Sequence, residues 1–63
     1  MEKKFALLPV LDDRVVWTIV PADRIKYIEE IDGERCALYF NDEDCRLVLA
    51  CDIFSAYNKV KGN

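Results

Sequence analysis

Residues 25–50 read IKYIEEIDGERCALYFNDEDCRLVLA, and this stretch decides the fold. It holds three apolar runs separated by two short polar segments, Asp32-Gly33 and Asn41–Asp44. Short apolar runs bounded by turn-forming residues are typical of antiparallel strands. The stretch therefore predicts a three-stranded meander, with strands at Ile25–Ile31, Arg35–Phe40 and Cys45–Ala50.

The two polar segments also predict how these strands are joined and paired. Asp32-Gly33 is a type I′ hairpin signal, because glycine takes a positive φ without penalty. If the second loop closes with Phe40 opposite Cys45, the apolar residues of both strands share one face. The predicted buried face holds Cys36, Leu38, Phe40, Cys45, Leu47 and Leu49. On the other, half-exposed face Tyr39 meets Arg46 and Ala37 meets Val48.

Two more strands are predicted before the meander. Phe5–Leu11 contains Pro9, which has no N–H for a ladder, so we expect this strand to lie at an edge or to bend. Arg14–Val20 is apolar on both faces and is expected to be buried on two sides or to pair with another subunit. Pro21–Arg24 fits a single helical turn. Met1–Lys4 is a polar start that we expect to fray.

The end of the chain predicts a helix at Asp52–Lys61. Asp52 is a favourable N-cap, and one apolar stripe should dock on the sheet: Ile53, Phe54, Tyr57 and Val60. The order is β-β-turn-β-β-β-α in a single domain, residues 1–63. We expect an α+β, mainly β fold, which is a small bent antiparallel sheet or open barrel of about five strands with one C-terminal helix.

One local irregularity is expected inside the meander. Tyr27 and Ile28 are adjacent and both apolar, which indicates a bulge or burial on both faces of that strand.

Composition limits the classes of partner. The chain has 63 residues, a net charge of −3 and 52% hydrophobic residues. A domain of this size buries only about 60% of the surface of its unfolded chain, so part of this apolar content is expected at the surface and a homo-oligomer would cover it. Nucleic acid is a disfavoured partner, because nine Lys and Arg face twelve Asp and Glu. No run approaches the roughly 20 apolar residues of a membrane span.

The residue types argue against catalysis. There is no histidine, and the only serine is Ser55 in the predicted helix, so no nucleophile and base pair is evident and we expect a protein that is not an enzyme. Cys36, Cys45 and Cys51 contain no C-x-x-C pair, so neither a metal nor a cofactor is expected. They are interpreted as packed thiols in the reducing cytoplasm. The Asn41–Asp44 loop is too short for an EF-hand.

The candidate interaction surface comprises Arg35, Tyr39, Arg46 and Val48 of the meander, together with Trp17 of the preceding strand. We expect a non-catalytic interaction or regulatory module that acts through protein–protein contacts, as a homo-oligomer and with an unidentified protein. Tyr39 beside Arg46 could instead stack a base, which would make this a nucleotide-sequestering protein, or be an ordinary cross-strand pair. The acidic residues near Asp32 leave a small acidic inhibitor as a further alternative.

The segment Val-Pro-Ala-Asp-Arg-Ile-Lys-Tyr-Ile-Glu at residues 20–29 resembles the opening of LytTR-type domains. That family has a short polar turn, an Asp and an Ile, then an apolar pair and an acidic residue. The hairpin and helix that follow keep the same order up to Val60, and FlbD-like short flagellar proteins show a similar outline. The resemblance implies a nucleic-acid-binding regulator. The strands that follow the helix in LytTR domains have no counterpart here, and no base-contacting residue matches.

Overall fold

A computed structural model describes residues 5–42 and 45–61. The expected fraying of Met1–Lys4 lies outside the described residues, as do Glu43 and Asp44 of the acidic loop. The described chain forms five strands and one helix: β1 (Phe5–Leu11), β2 (Val15–Pro21), β3 (Ile25–Glu30), β4 (Cys36–Phe40), β5 (Arg46–Leu49) and α1 (Ile53–Lys61). This confirms the α+β, mainly β fold class.

The five strands form one antiparallel sheet in the order β2-β1-β5-β4-β3, and the sheet does not close. β2 and β3 lie at opposite edges, yet only the 3₁₀ turn Ala22–Arg24 joins them. The four Cα–Cα steps from Pro21 to Ile25 span at most about 14 Å, so the two edges must approach each other at this end. The sheet is therefore strongly curled, in agreement with the predicted bent sheet or open barrel.

The predicted register of β4 and β5 is confirmed. Cys36 lies opposite Leu49, Leu38 opposite Leu47, and Tyr39 opposite Arg46. Three of these side chains, those of Cys36, Leu38 and Leu49, are fully buried.

Two details of this pair of strands differ from the expectation. Cys45 is exposed, because β5 begins one residue later, so its assignment to the buried face is wrong. Ala37 is fully buried rather than half-exposed. It lies between Glu29 and Val48 in the register, and these larger neighbours cover its single methyl group.

The expected edge position of β1 is wrong. β1 lies inside the sheet, paired with β2 along its whole length and with β5 only at Val10 and Leu49. Pro9 is buried beside that short contact, and its carbonyl accepts the N–H of Ala50 at 2.8 Å. Proline lacks a backbone N–H donor but keeps its carbonyl acceptor. An interior strand therefore tolerates it where the neighbouring strand forms only a short ladder.

The link between β3 and β4 is not the predicted type I′ turn. It comprises five residues, Ile31–Arg35, and Gly33 does not adopt the left-handed backbone. The Asp32 side chain closes the link instead, because its Oδ1 accepts the N–H groups of Glu34 and Arg35 at 2.8 and 2.9 Å. β3 does contain a bulge, but the β3–β4 register shifts between Ile25 and Tyr27 and is regular at Tyr27 and Ile28, where the irregularity was predicted.

The core lies between the concave face of the sheet and α1. Its buried residues are Ala6, Leu8, Val20, Cys36, Leu38, Leu49 and Ala56. α1 contributes Ala56, with Ile53 and Val60 packed beside it. Phe54 is 74% exposed and Tyr57 is also exposed, so half of the predicted docking stripe is wrong.

The predicted N-cap of α1 is confirmed. Asp52 Oδ2 accepts the N–H groups of Phe54 and Ser55, each at 3.2 Å, and Ser55 Oγ donates to Asp52 Oδ1 at 2.6 Å. The Ser55 hydroxyl, followed by the backbone N–H groups, holds the pKa of the Asp52 carboxyl below its usual range. The only serine of the chain is thus committed to a helix cap.

Candidate functional site

An aromatic and polar cluster lies on the convex face of the meander. The rings of Tyr27 and Tyr39 have centroids 4.6 Å apart and are tilted by 36°. The hydroxyl of Tyr39 donates to Glu29 Oε1 at 3.2 Å and accepts from Arg46 Nη1 at 3.4 Å. β3, β4 and β5 position these groups side by side, because Tyr39 faces Tyr27 on one neighbour and Arg46 on the other.

This cluster is poorly suited to a nucleotide. The Glu29 carboxylate stands beside the Tyr39 hydroxyl, where it would repel a phosphate. Tyr27 already packs on the Tyr39 ring and competes with a base for it. The geometry therefore resembles a set of cross-strand pairs more than a base-stacking platform.

Arg35 belongs to the β3–β4 link rather than to the Tyr39 cluster. Its Nε and Nη2 donate to Asp32 Oδ2 at 3.1 and 2.7 Å. The same Arg35 bond, with the N–H of Glu34, lowers the pKa of the Asp32 carboxyl. In the parts of the chain that the structure describes, these are the hydrogen bonds of the Arg35 guanidinium, and they give it a structural role in the turn.

Trp17 and Val48 lie on different parts of the sheet. Val48 is half-buried opposite Ala37 in β5, whereas Trp17 lies in the edge strand β2 and is 59% exposed. The Lys59 amine lies 5.8 Å from the centre of the Trp17 ring. The structure therefore does not bring the five predicted residues together at one site. Tyr39, Arg46 and Val48 lie on β4 and β5, Arg35 lies in the β3–β4 link, and Trp17 lies in β2.

One face of the β1–β2 hairpin carries a group of exposed apolar side chains, of which only Trp17 was predicted as a site residue. Its exposed large side chains are Phe5, Leu7, Val15, Trp17 and Ile19, whereas the exposed Val16 lies opposite Val10 on the other face. Ile19 lies opposite Leu7 and Trp17 lies opposite Pro9, so their side chains point away from the core residues Ala6 and Leu8. The two-sided apolar pattern of β2 was the sequence signal for this surface. We call it the β2 surface.

A second apolar feature is a groove of about 500 Å³ between β3 and α1. Its walls are Ile25, Tyr27, Ile28, Ile53, Phe54, Tyr57 and Val60. Sequence reasoning assigned Phe54 and Tyr57 to the core, and no signal in the chain distinguishes a core stripe from a groove wall. A more polar cleft of about 670 Å³ lies between Trp17, Cys51 and Lys59.

The cysteines show no catalytic or metal-binding arrangement. The thiols of Cys36 and Cys51 are hydrogen-bond partners, and burial raises the pKa of Cys36 to about 11 and also raises that of Cys51. Such thiols remain protonated at neutral pH and are weak nucleophiles. Within residues 5–42 and 45–61, no three side chains of the metal-ligating types gather into a site.

Three lysines of the described residues lie in cation–π pairs at separate places. Lys26, Lys59 and Lys61 each lie over an aromatic ring, at 5.9, 5.8 and 5.4 Å from its centre. A nucleic-acid interface needs a continuous basic footprint, and this arrangement offers three separate cation–π pairs instead.

No known protein family, curated protein or solved structure matches this chain. Among the described residues, no helix has the length and apolar character needed to cross a membrane.

Proposed function

We propose that this chain is a non-catalytic interaction module that acts through protein–protein contacts as a homo-oligomer. The observation that supports the proposal is the β2 surface. Five of the ten large apolar side chains exposed in the described part of the chain belong to it. Contiguous apolar patches on soluble proteins mark sites of association.

The chemistry of the remaining surface supports a binding role over catalysis. Ser55 is held by Asp52, and the paired thiols are protonated at neutral pH. The three cysteines are free, which is the usual state in a reducing compartment, so we place the protein in the cytoplasm. The proposed homo-oligomer also binds a second protein, which is not identified.

Light scattering across a concentration series tests this function. We expect the wild-type chain to have at least twice the monomer mass, and Ile19→Lys to reduce that mass to the monomer. Ile19 is 68% exposed, so a lysine is tolerated in the single chain, but its charge opposes burial of the β2 surface.

Phe54→Lys is the matched control, since Phe54 is equally apolar and 74% exposed but lies on α1. It should keep the wild-type mass. A wild-type monomer at every concentration, or an Ile19→Lys chain with the wild-type mass, would contradict the proposal.

A further inference from the structure

β2 is an unprotected sheet edge. Its sequence, VVWTIVP, contains no charged residue over seven positions, its one proline is the last residue of the strand, and β1 pairs with it on one side only. Edge strands are normally protected from association by charged residues, prolines or bulges. The opposite edge of this sheet, β3, has such protection in Lys26, Glu29 and Glu30 and in its bulge. Of the two edges, β2 is the one suited to pair with another strand.

The sequence of β2 is complementary to itself. A two-fold axis perpendicular to the sheet keeps each face continuous, so residues that oppose each other must share a face. With the axis at Thr18, Trp17 lies opposite Ile19, Val16 opposite Val20, and Thr18 opposite itself. Aromatic with β-branched, aliphatic with aliphatic, and Thr with Thr are all favourable cross-strand pairs.

The neighbouring registers are worse. An axis at Trp17 places Val16 against Thr18 and Arg14 against Val20. An axis at Ile19 places Thr18 against Val20 and moves Trp17 opposite Pro21, which has no N–H to donate. The Thr18-centred register alone pairs all seven residues of β2 with β2 of the other copy, and it places Pro21 opposite Val15 at the end of the ladder, where a missing N–H costs least.

A dimer interface of standard size would cover only a small part of this chain. A stable interface takes about 800 Å² from each partner, which is about a sixth of the 4706 Å² accessible surface of this chain. The β2 surface holds half of the exposed large apolar side chains of the described residues, all of them in one hairpin.

We propose that a second copy of this chain pairs with β2 in antiparallel orientation, with Thr18 opposite Thr18, to form a continuous ten-stranded sheet across the dimer. This inference rests on the proposed homo-oligomer and identifies its interface. It leaves the β3–α1 groove free on both copies.

Disulfide trapping tests the register. Opposed residues in an antiparallel pair have Cα atoms about 4.5–5.5 Å apart, which is within the range that a disulfide bridges. Thr18→Cys in a Cys45→Ser background should therefore form a covalent dimer on mild oxidation with a glutathione pair. Cys45 is removed because it is the exposed native thiol, whereas Cys36 is buried.

Val16→Cys in the same background is the control. It lies on the same face of β2, but in the proposed register it is four residues from its own copy, roughly 13 Å away. We expect it to cross-link at least tenfold more slowly than Thr18→Cys. Circular dichroism verifies that both variants are folded.

The outcomes separate the two proposals. If wild-type chains are dimeric but Thr18→Cys cross-links no faster than Val16→Cys, the interface is wrong and the homo-oligomer stands. If wild-type chains are monomeric in light scattering at all concentrations, both proposals fail.

Discussion

At the scale of single residues, burial rather than reactivity determines the state of the cysteines. The Cys36 side chain is inaccessible to solvent, and desolvation raises the pKa of its thiol to about 11, with Cys51 and Asp52 adding to the shift. Sequence alone predicted packed thiols for all three cysteines. It placed Cys36 correctly and could not find its neighbour, because Cys51 lies beyond β5 in the link that turns towards α1.

The Cys36 thiol makes folding stability depend on pH at the alkaline end. An unfolded thiol ionises near its ordinary pKa of 9.0, whereas the folded one keeps its proton up to about 11. The folded state then binds more protons, so the free energy of unfolding should decrease as pH rises from about 9 to about 11 and level off above that range.

Urea unfolding across this pH range measures the effect. Cys45→Ala, which changes an exposed thiol, should retain the wild-type slope. Cys36→Ala should be less stable overall because of the lost core volume, but with a shallower slope. Equal slopes for all three chains would contradict the assigned pKa.

At the scale of elements, alternation of apolar residues was sufficient to pair β4 with β5. A shift of one residue would have exposed Leu38 and Leu49, so the register was well determined. The N-cap at Asp52 was also predictable from the sequence, because a cap depends only on a side chain and the backbone N–H groups of the next few residues. The interior position of β1 and the exposure of Phe54 could not be predicted in this way. Both depend on how segments distant in sequence pack together, and local sequence patterns carry no information about that.

The β3–β4 link shows how a local signal can be overridden. Asp-Gly favours a two-residue type I′ turn, but the Asp32 carboxylate binds two backbone amides and the Arg35 side chain. An Asp side chain that accepts backbone N–H groups forms its own turn. That turn needs five residues and does not need a left-handed glycine.

This difference predicts that Gly33→Ala is harmless. A Cβ at Gly33 would have no atom within 4 Å, and the backbone there is not left-handed. Alanine restricts the unfolded chain, so stability should stay the same or increase by up to about 1 kcal/mol. Chemical denaturation measures the change, with Asp32→Ala as the comparison that should lose stability. A clear loss for Gly33→Ala would indicate the type I′ turn after all.

At the scale of the whole molecule, the chain has more apolar side chains than its small core can bury. Eight hydrophobic residues are fully buried, and ten large ones remain exposed among the residues described. The composition indicated this excess, and the two-sided pattern of β2 indicated where it would lie. The number and arrangement of copies could not be predicted from the sequence. A register between chains can be considered only once the sheet order shows that β2 is an edge strand.

Hydrogen exchange at the edge of β2 tests the central proposal most directly. In a dimer paired through β2, its amides that point away from β1 should exchange slowly at high protein concentration and rapidly on dilution. The free-edge amides of β3 should exchange rapidly at both concentrations. Equally rapid exchange at both edges, whatever the concentration, would show that β2 is unpaired in solution and would contradict the account.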